Sequence, residues 1–124
     1  MNVVDSSAWL SYLAGDKNSG RFARPIEDLD QLIVPSITLT EVFKTIFRQR
    51  DEEVALAVVA HMQQGRVVPL DSELAIDAAS YGLAHKLPLA DSIIYATARK
   101  FDATLWTQDI DLKPLKKIRY YAKA

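Results

Sequence analysis

Leu32-Ile33-Val34-Pro35-Ser36-Ile37-Thr38-Leu39-Thr40-Glu41-Val42-Phe43 carries the pattern that decides the fold. Its first three residues form a run that is apolar throughout and too short for a helix, as in a strand covered on both faces. Pro35 closes the run. Ser36 then suits the N-cap of a helix whose buried stripe would be Leu39, Val42, Phe43, Ile46 and Phe47. Toward the N-terminus the same unit recurs. Asn2-Val3-Val4 reads as a strand ending at Asp5, and Ser6 to Ala14 as a helix with Trp9, Leu10, Tyr12 and Leu13 apolar and Gly15 as its stop. Between the two units, Ser19 to Leu29 predicts a helix with Phe22, Ile26 and Leu29 on one face, which Pro25 bends or shortens.

Toward the C-terminus, a helix is expected from about Asp51 to Gln64, stopped by Gly65, and Arg66-Val67-Val68 is a third strand. A helix from Asp71 to roughly His85 follows, then Pro88, a helix from Leu89 to Phe101 and the strand Ala103-Thr104-Leu105-Trp106. Ile118-Arg119-Tyr120 is placed as a last short strand. Short apolar strands alternating with helices mean βαβ units around a parallel sheet with helices on both faces. The expected fold class is therefore α/β, a three-layer α/β/α arrangement with a short-stranded parallel sheet.

The 124 residues fit one domain, residues 1–124, with 49% hydrophobic and 25% charged residues, an ordinary globular balance. There is no cysteine, which excludes disulfides and thiolate metal sites and suits a reducing cytoplasm. The N-terminus lacks the basic and apolar segments of a secretory signal, and no apolar stretch approaches the ~20 residues a membrane helix needs. A soluble cytoplasmic protein is expected. The net charge of -1 gives no basic footprint for nucleic acid. Setting aside four of the 16 acids, however, leaves 12 against 15 Lys and Arg, so acids gathered on a metal would leave a mildly basic remainder.

Four acids have informative positions. Asp5 ends the first strand, and Asp109 lies just past the Thr104–Trp106 strand. Glu41 is early in the helix after the second strand, and Asp91 is in the first turn of the helix before the Thr104–Trp106 strand. In a parallel α/β fold, helix N-termini and strand C-termini share one edge, where open sheets place their ligands. All four acids belong to that edge. Each also has a structural reading: Asp5 as an N-cap, Asp91 as a partner of the helix dipole, Asp109 and Asp111 as turn residues, Glu41 as an exposed helical glutamate. Their joint placement favours chemistry. Converging carboxylates repel, hard divalent cations relieve the repulsion, and such ions serve in-line phosphodiester hydrolysis.

The wording at these four places resembles a known family, the PIN domains, and within them the VapC toxins of prokaryotic toxin–antitoxin pairs. Val4-Asp5-Ser6-Ser7-Ala8 resembles the opening strand with its acid and hydroxyl residues. Pro35-Ser36-Ile37-Thr38-Leu39-Thr40-Glu41-Val42 resembles the second motif. Leu87-Pro88-Leu89-Ala90-Asp91-Ser92-Ile93-Ile94-Tyr95-Ala96-Thr97-Ala98 is the strongest match. Leu105-Trp106-Thr107-Gln108-Asp109-Ile110-Asp111-Leu112 resembles the closing Thr-x-Asp-x-Asp motif, with Leu112 where the family usually has Phe. The resemblance spans the chain in order. It implies Mg2+- or Mn2+-dependent endoribonuclease activity on an RNA substrate, a homodimer, and inhibition by a cognate antitoxin. It also implies that Asp5, Glu41, Asp91 and Asp109 form the catalytic, metal-binding site, with Asp111 as an auxiliary ligand and Thr107 and Ser7 supporting the carboxylates.

Other residues read more plainly. His61 and His85 fall within helices away from the acidic edge, with nothing to pair them for catalysis. Lys44 suits either a phosphate contact or a solvated face, while Arg48 and Arg50 suit a helix C-terminus. Lys113, Lys116, Lys117, Arg119 and Lys123 form a basic tail that reads as an RNA-backbone contact or a solvated face. Trp9, Tyr12, Phe22 and Phe47 read mostly as core, with some available to line a groove for an antitoxin helix. Among other functions, a catalytically silent RNA-binding or scaffold copy of the same fold would have no use for an intact acidic set. A phosphoacceptor receiver needs paired acids after the first strand and an acceptor Asp after the third. Here Ser6 follows Asp5 and Pro69-Leu70 follows Val68. A phosphatase opening Asp-x-Asp fails on Ser7.

Overall fold

The structure, a computed structural model, describes residues 1–123. Its strands are β1 (Asn2–Val4), β2 (Leu32–Pro35), β3 (Arg66–Val68), β4 (Thr104–Thr107) and β5 (Ile118–Tyr120). The helices are α1 (Ser6–Ala14), α2 (Ser19–Glu27), α3 (Ser36–Gln49), α4 (Glu52–Met62), α5 (Ser72–His85) and α6 (Leu89–Lys100). The five strands form one sheet in the order β3-β2-β1-β4-β5 with every pairing parallel. The expected α/β class with a short-stranded parallel sheet is what forms.

Local chemistry sets most boundaries. Asp5, Asp51 and Asp71 cap α1, α4 and α5, each side chain accepting from the backbone N–H three residues on. Gly15 ends α1 in the left-handed region at φ 66°, where its missing Cβ removes the steric penalty. Two expectations need correction. Ser36 is the first helical residue of α3 and makes no side-chain cap; Pro35 holds the cap position. Pro35 is paired with Val68 in the sheet, which carries the strand one residue further. The Thr38 hydroxyl then donates to the Pro35 carbonyl at 2.7 Å. Likewise α2 stops at Glu27, and Leu29 passes into a 3-10 turn with its side chain exposed.

Strand alternation divides the core. Val3, Ile33 and Leu105 face one side of the sheet and pack with Leu74 and Ala78 of α5, Ile93 and Ile94 of α6, and Leu112. Val4, Leu32, Val34 and Trp106 face the other side and pack with Trp9, Phe22, Ile26, Val42 and Met62 of α1 to α4. Apolar residues on both faces are what a sheet between two helical layers requires. The buried stretch Ser92–Ala98 of α6 fixes that helix in depth and orientation, and with it Asp91.

Candidate active site

Strand β1 has β2 on one side and β4 on the other, so the chain changes direction across the sheet at its carboxyl end. Asp5 occupies that switch point, the place where open α/β sheets build their sites. Register pairs Val4 with Trp106, and the Asp5 N–H donates to the Trp106 carbonyl at 3.1 Å. The carboxylate is buried. Its Oδ1 accepts from the Ser7 hydroxyl at 2.8 Å and the Ala8 N–H at 2.9 Å, and its Oδ2 accepts from the Thr107 hydroxyl. A carboxylate has about four lone-pair positions, so one on Oδ2 is left without a protein donor. Asp5 is thus both the N-cap of α1 and a carboxylate held in one orientation.

The other three acids come to Asp5 from separate elements. Glu41 lies in the second turn of α3 and is tied to α1 by the Ser6 hydroxyl, which donates to its Oε1 at 2.5 Å. Asp91 lies in the first turn of α6 and Asp109 two residues beyond β4. Asp91 is half-buried, shares a hydrogen bond with Asp109, and feels the charges of Asp109, Asp5 and Glu41. Burial first, and those carboxylates next, push its pKa up to about 7. Burial likewise raises Asp5 to about 6, against the lowering effect of its three hydrogen-bond donors and with a small addition from Asp109. Asp111 is exposed, and its backbone N–H donates to Asp109 Oδ1 at 2.9 Å.

The acids therefore face one another across the switch point, and none of them forms an ion pair among the described residues. Nor are three acid or histidine side chains there drawn tightly enough to enclose an ion as they stand. Carboxylates gathered without a counter-charge raise one another's pKa, as Asp109, Asp5 and Glu41 do for Asp91. The donor set is oxygen only, with one Asp5 lone pair open, and this chemistry fits a hard divalent cation better than a soft one.

The remaining candidates separate clearly. His61 and His85 are exposed on α4 and α5, stacked on Tyr12 and Tyr81. Trp9 and Phe22 are core, Tyr12 is half-buried, and Phe47 is 45% exposed, so the stripe of α3 was drawn one position too wide. The helix packs through the buried Thr38 and Val42 and the partly buried Leu39 and Ile46. Lys44, Arg48 and Arg50 are exposed on α3 or just beyond it, and Arg50 lines a cleft of about 570 Å³ with Leu10, Leu13 and Ile46. The basic tail is not one surface. Lys117 is spent on Asp102 at 3.2 Å, Arg119 lies over Trp106, and Lys113 lies over Tyr120.

Sequence reasoning missed a buried amide pair. Asn18 Nδ2 donates to Gln108 Oε1 at 2.7 Å and to the Ala122 carbonyl at 2.9 Å, and Gln108 Nε2 donates to the Ser7 carbonyl at 3.1 Å. This chain of bonds joins the α1–α2 turn, the residue after β4, the C-terminal segment and the start of α1. Buried amides need such partners. Gln108 between Thr107 and Asp109 was visible by position, but nothing in the local sequence marks Asn18.

Comparison with known proteins adds three findings. The sequence profile of the PIN domain matches residues 3–118. Curated protein sequences give no match. Solved structures give several. A toxin–antitoxin complex from Klebsiella pneumoniae superposes with a TM-score of 0.82 at 18% identity, covering 99% of this chain and 100% of the other. Mycobacterium tuberculosis VapC20, described as a sarcin-ricin loop cleaving toxin, gives 0.75 at 20% identity over 92% and 94%. DNA-bound VapBC from Salmonella typhimurium gives 0.73 at 19% over 98% and 96%. At these identities the superpositions establish a shared fold.

Proposed function

This chain belongs to the PIN-domain family, and from that premise we propose that it is a Mg2+- or Mn2+-dependent endoribonuclease acting as the toxin of a toxin–antitoxin pair. The observation that carries the reading is the gathering of Asp5, Glu41, Asp91 and Asp109 within range of one another's charge, with Asp91 pushed up to about 7 and no ion pair to any of them among the described residues. These four would hold the divalent ion, and Asp111 would remain outside. When bound, such an ion lowers the pKa of an attacking water and neutralises charge on the leaving oxygen.

The protein's own part is orientation. Thr107, Ser7 and the Ala8 N–H hold Asp5 so that its open lone pair keeps one direction. Ser6 restrains Glu41 in the same way. Asp91, whose pKa burial and the neighbouring carboxylates raise, would have to be ionised to hold a cation, so binding of the ion would be favoured as pH rises.

The toxin assignment is supported by the descriptions of the superposed proteins, two of which are toxin–antitoxin assemblies. The cleft between α1 and α3, with Leu10, Leu13 and Ile46 in its wall, suits the apolar face of an antitoxin helix. Ile76 and Leu83, seven residues apart on α5, are 68% and 86% exposed, and Leu89 at the start of α6 is 77% exposed. Exposed apolar residues of this kind suit a homodimer contact. No helix of the described residues is long and apolar enough to cross a membrane.

Incubating the purified chain with total RNA, with Mn2+ or with a chelator, tests the reading. Cleavage should require the ion and leave 5′-phosphate and 3′-hydroxyl ends. Full activity in EDTA with 2′,3′-cyclic phosphate ends would overturn it.

A further inference from the structure

Immediately beyond Asp109 is a second hollow, of about 440 Å³, lined by Ser7, Gln108, Asp109, Ile110, Tyr120 and Lys123. Its position follows from the register of β5. Tyr120 is paired with Thr107, and the Tyr121 N–H donates to the Thr107 carbonyl at 3.0 Å. The phenol ring is thereby brought one strand away from the residue that orients Asp5. On the same rim Ile110 is 65% exposed, a branched apolar side chain held in water one residue after a proposed ligand. Lys123 lines the hollow, and the Lys113 ammonium lies 5.3 Å from the centre of the Tyr120 ring.

An aromatic ring, an exposed aliphatic side chain and two lysines form the two halves of a single-strand nucleic-acid contact. The ring and the aliphatic side chain offer a stacking surface to a base, and the lysines offer positive charge to its phosphates. The hollow's volume is in the range that holds small ring compounds. Its position beside Asp109 sets a base there next to the phosphate at the acids. Gln108, the amide nearest the hollow, already has its oxygen bound to Asn18 and its nitrogen to the Ser7 carbonyl. Little is left to read a base edge, whereas every base has a face to stack.

We infer that the hollow formed by Ile110, Tyr120 and Lys123 is a nucleobase subsite that stacks one unpaired base beside the scissile phosphate with little preference among bases. The inference rests on the ribonuclease reading and adds to it that the substrate must be single-stranded on this side of the cut. Tyr120 and Ile110 stack the base, and Lys123 and Lys113 hold the adjoining phosphates.

Two measurements test it separately from the ribonuclease reading. The first measures the affinity of the full chain, in EDTA so that nothing is cut, for fluorescent oligouridylate and for the same ribose-phosphate backbone without bases. The parent should prefer the base-bearing strand by about tenfold, the usual size of one stacking contact. Tyr120→Ala should lose that preference and Tyr120→Phe keep it. Ile110→Ala changes an exposed side chain and so spares the fold; it should lose part of the preference. The second measurement walks a single abasic residue along an RNA cut in Mn2+. One position next to the cut should matter in the parent and cease to matter in Tyr120→Ala, the non-additivity expected of direct partners. Base preference without any cleavage would leave the subsite standing and remove the ribonuclease reading. Cleavage with no base preference would remove the subsite alone. Equal weakening of both probes in Tyr120→Ala would mean that the ring only supports β5, and also overturns the inference.

Discussion

At the N-terminal end of β4, Asp102 lies between Arg99, 3.5 Å away, and Lys117, 3.2 Å away, whereas at the C-terminal end Asp109 faces the carboxylates of Asp91 and Asp5. The same residue type answers in opposite directions. The hydrogen bond and charge of Lys117 lower the Asp102 pKa, while burial and neighbouring carboxylates raise Asp91 and Asp5 to about 7 and about 6. A carboxylate supplied with protein cations closes a turn and asks for nothing more. Carboxylates gathered without any are unfinished until a cation or a proton arrives. That contrast, rather than the count of acids, separates the end of the sheet closed by ion pairs from the end proposed as the site.

The contrast breaks most visibly in activity. Asp91→Asn should reduce RNA cleavage by more than about a hundredfold, since even outer partners of a metal ligand are worth about 10–100-fold. Asp102→Asn should cut RNA like the parent, as labelled-RNA assays on both variants would show; equal losses would erase the distinction between the two ends. Thr107→Val comes next. It removes the hydroxyl that donates to Asp5 Oδ2 and should cost about 10–100-fold in kcat and in Mn2+ affinity.

The third expectation concerns stability. Two unit charges ~5 Å apart repel by ~3 kcal/mol at an effective dielectric of ~20, reduced severalfold by solvent and proton uptake. Asp109→Asn keeps an acceptor for the Asp111 N–H. Calorimetry in EDTA should therefore show a Tm higher by about 3–5 °C, and Mn2+ should stabilise the parent more than the variant. A lower Tm with an intact Mn2+ response would take Asp109 out of the site.

The last expectation is the pH slope. Asp5 and Asp91 have folded pKa values of about 6 and about 7, above the ordinary 3.8, so folding takes up protons between those limits. Their penalty is fully present above pH ~7 and is relieved as pH falls toward ~4. Metal-free Tm should thus rise on acidification from about pH 8 to about pH 5. Asp102 is shifted the other way: its contribution persists above the ordinary 3.8 and disappears only as pH falls below it, outside that window. Asp91→Asn should flatten the slope and Asp102→Asn should leave it unchanged.

Much of the acidic end was legible because its signals are local. Val3, Val4, Ile33, Val34 and Leu105 read as strands buried on both faces, and Asp5, Asp51 and Asp71 read as starts of helices. Each such signal is decided within about four residues of chain by backbone sterics and capping. Given alternating strands and helices, the shared edge of Asp5, Glu41, Asp91 and Asp109 follows from parallel geometry. Local periodicity said less about the end of α3, where Phe47 is exposed although Val42 is buried and Leu39 and Ile46 pack on the core. A period of 3.6 marks a face but not how far the neighbouring elements cover it.

By itself, then, the sequence determined the alternating elements, the caps and the four acids at the carboxyl edge. Only the tertiary structure decided what those acids meet. The strand order β3-β2-β1-β4-β5 sets Asn18 against Gln108 across 90 residues of chain and Tyr120 beside Thr107. It also divides the basic tail, giving Lys117 to Asp102 and leaving Lys123 at the hollow beside Asp109. Contacts between elements far apart in sequence depend on how the layers pack, and no short-range propensity encodes that packing.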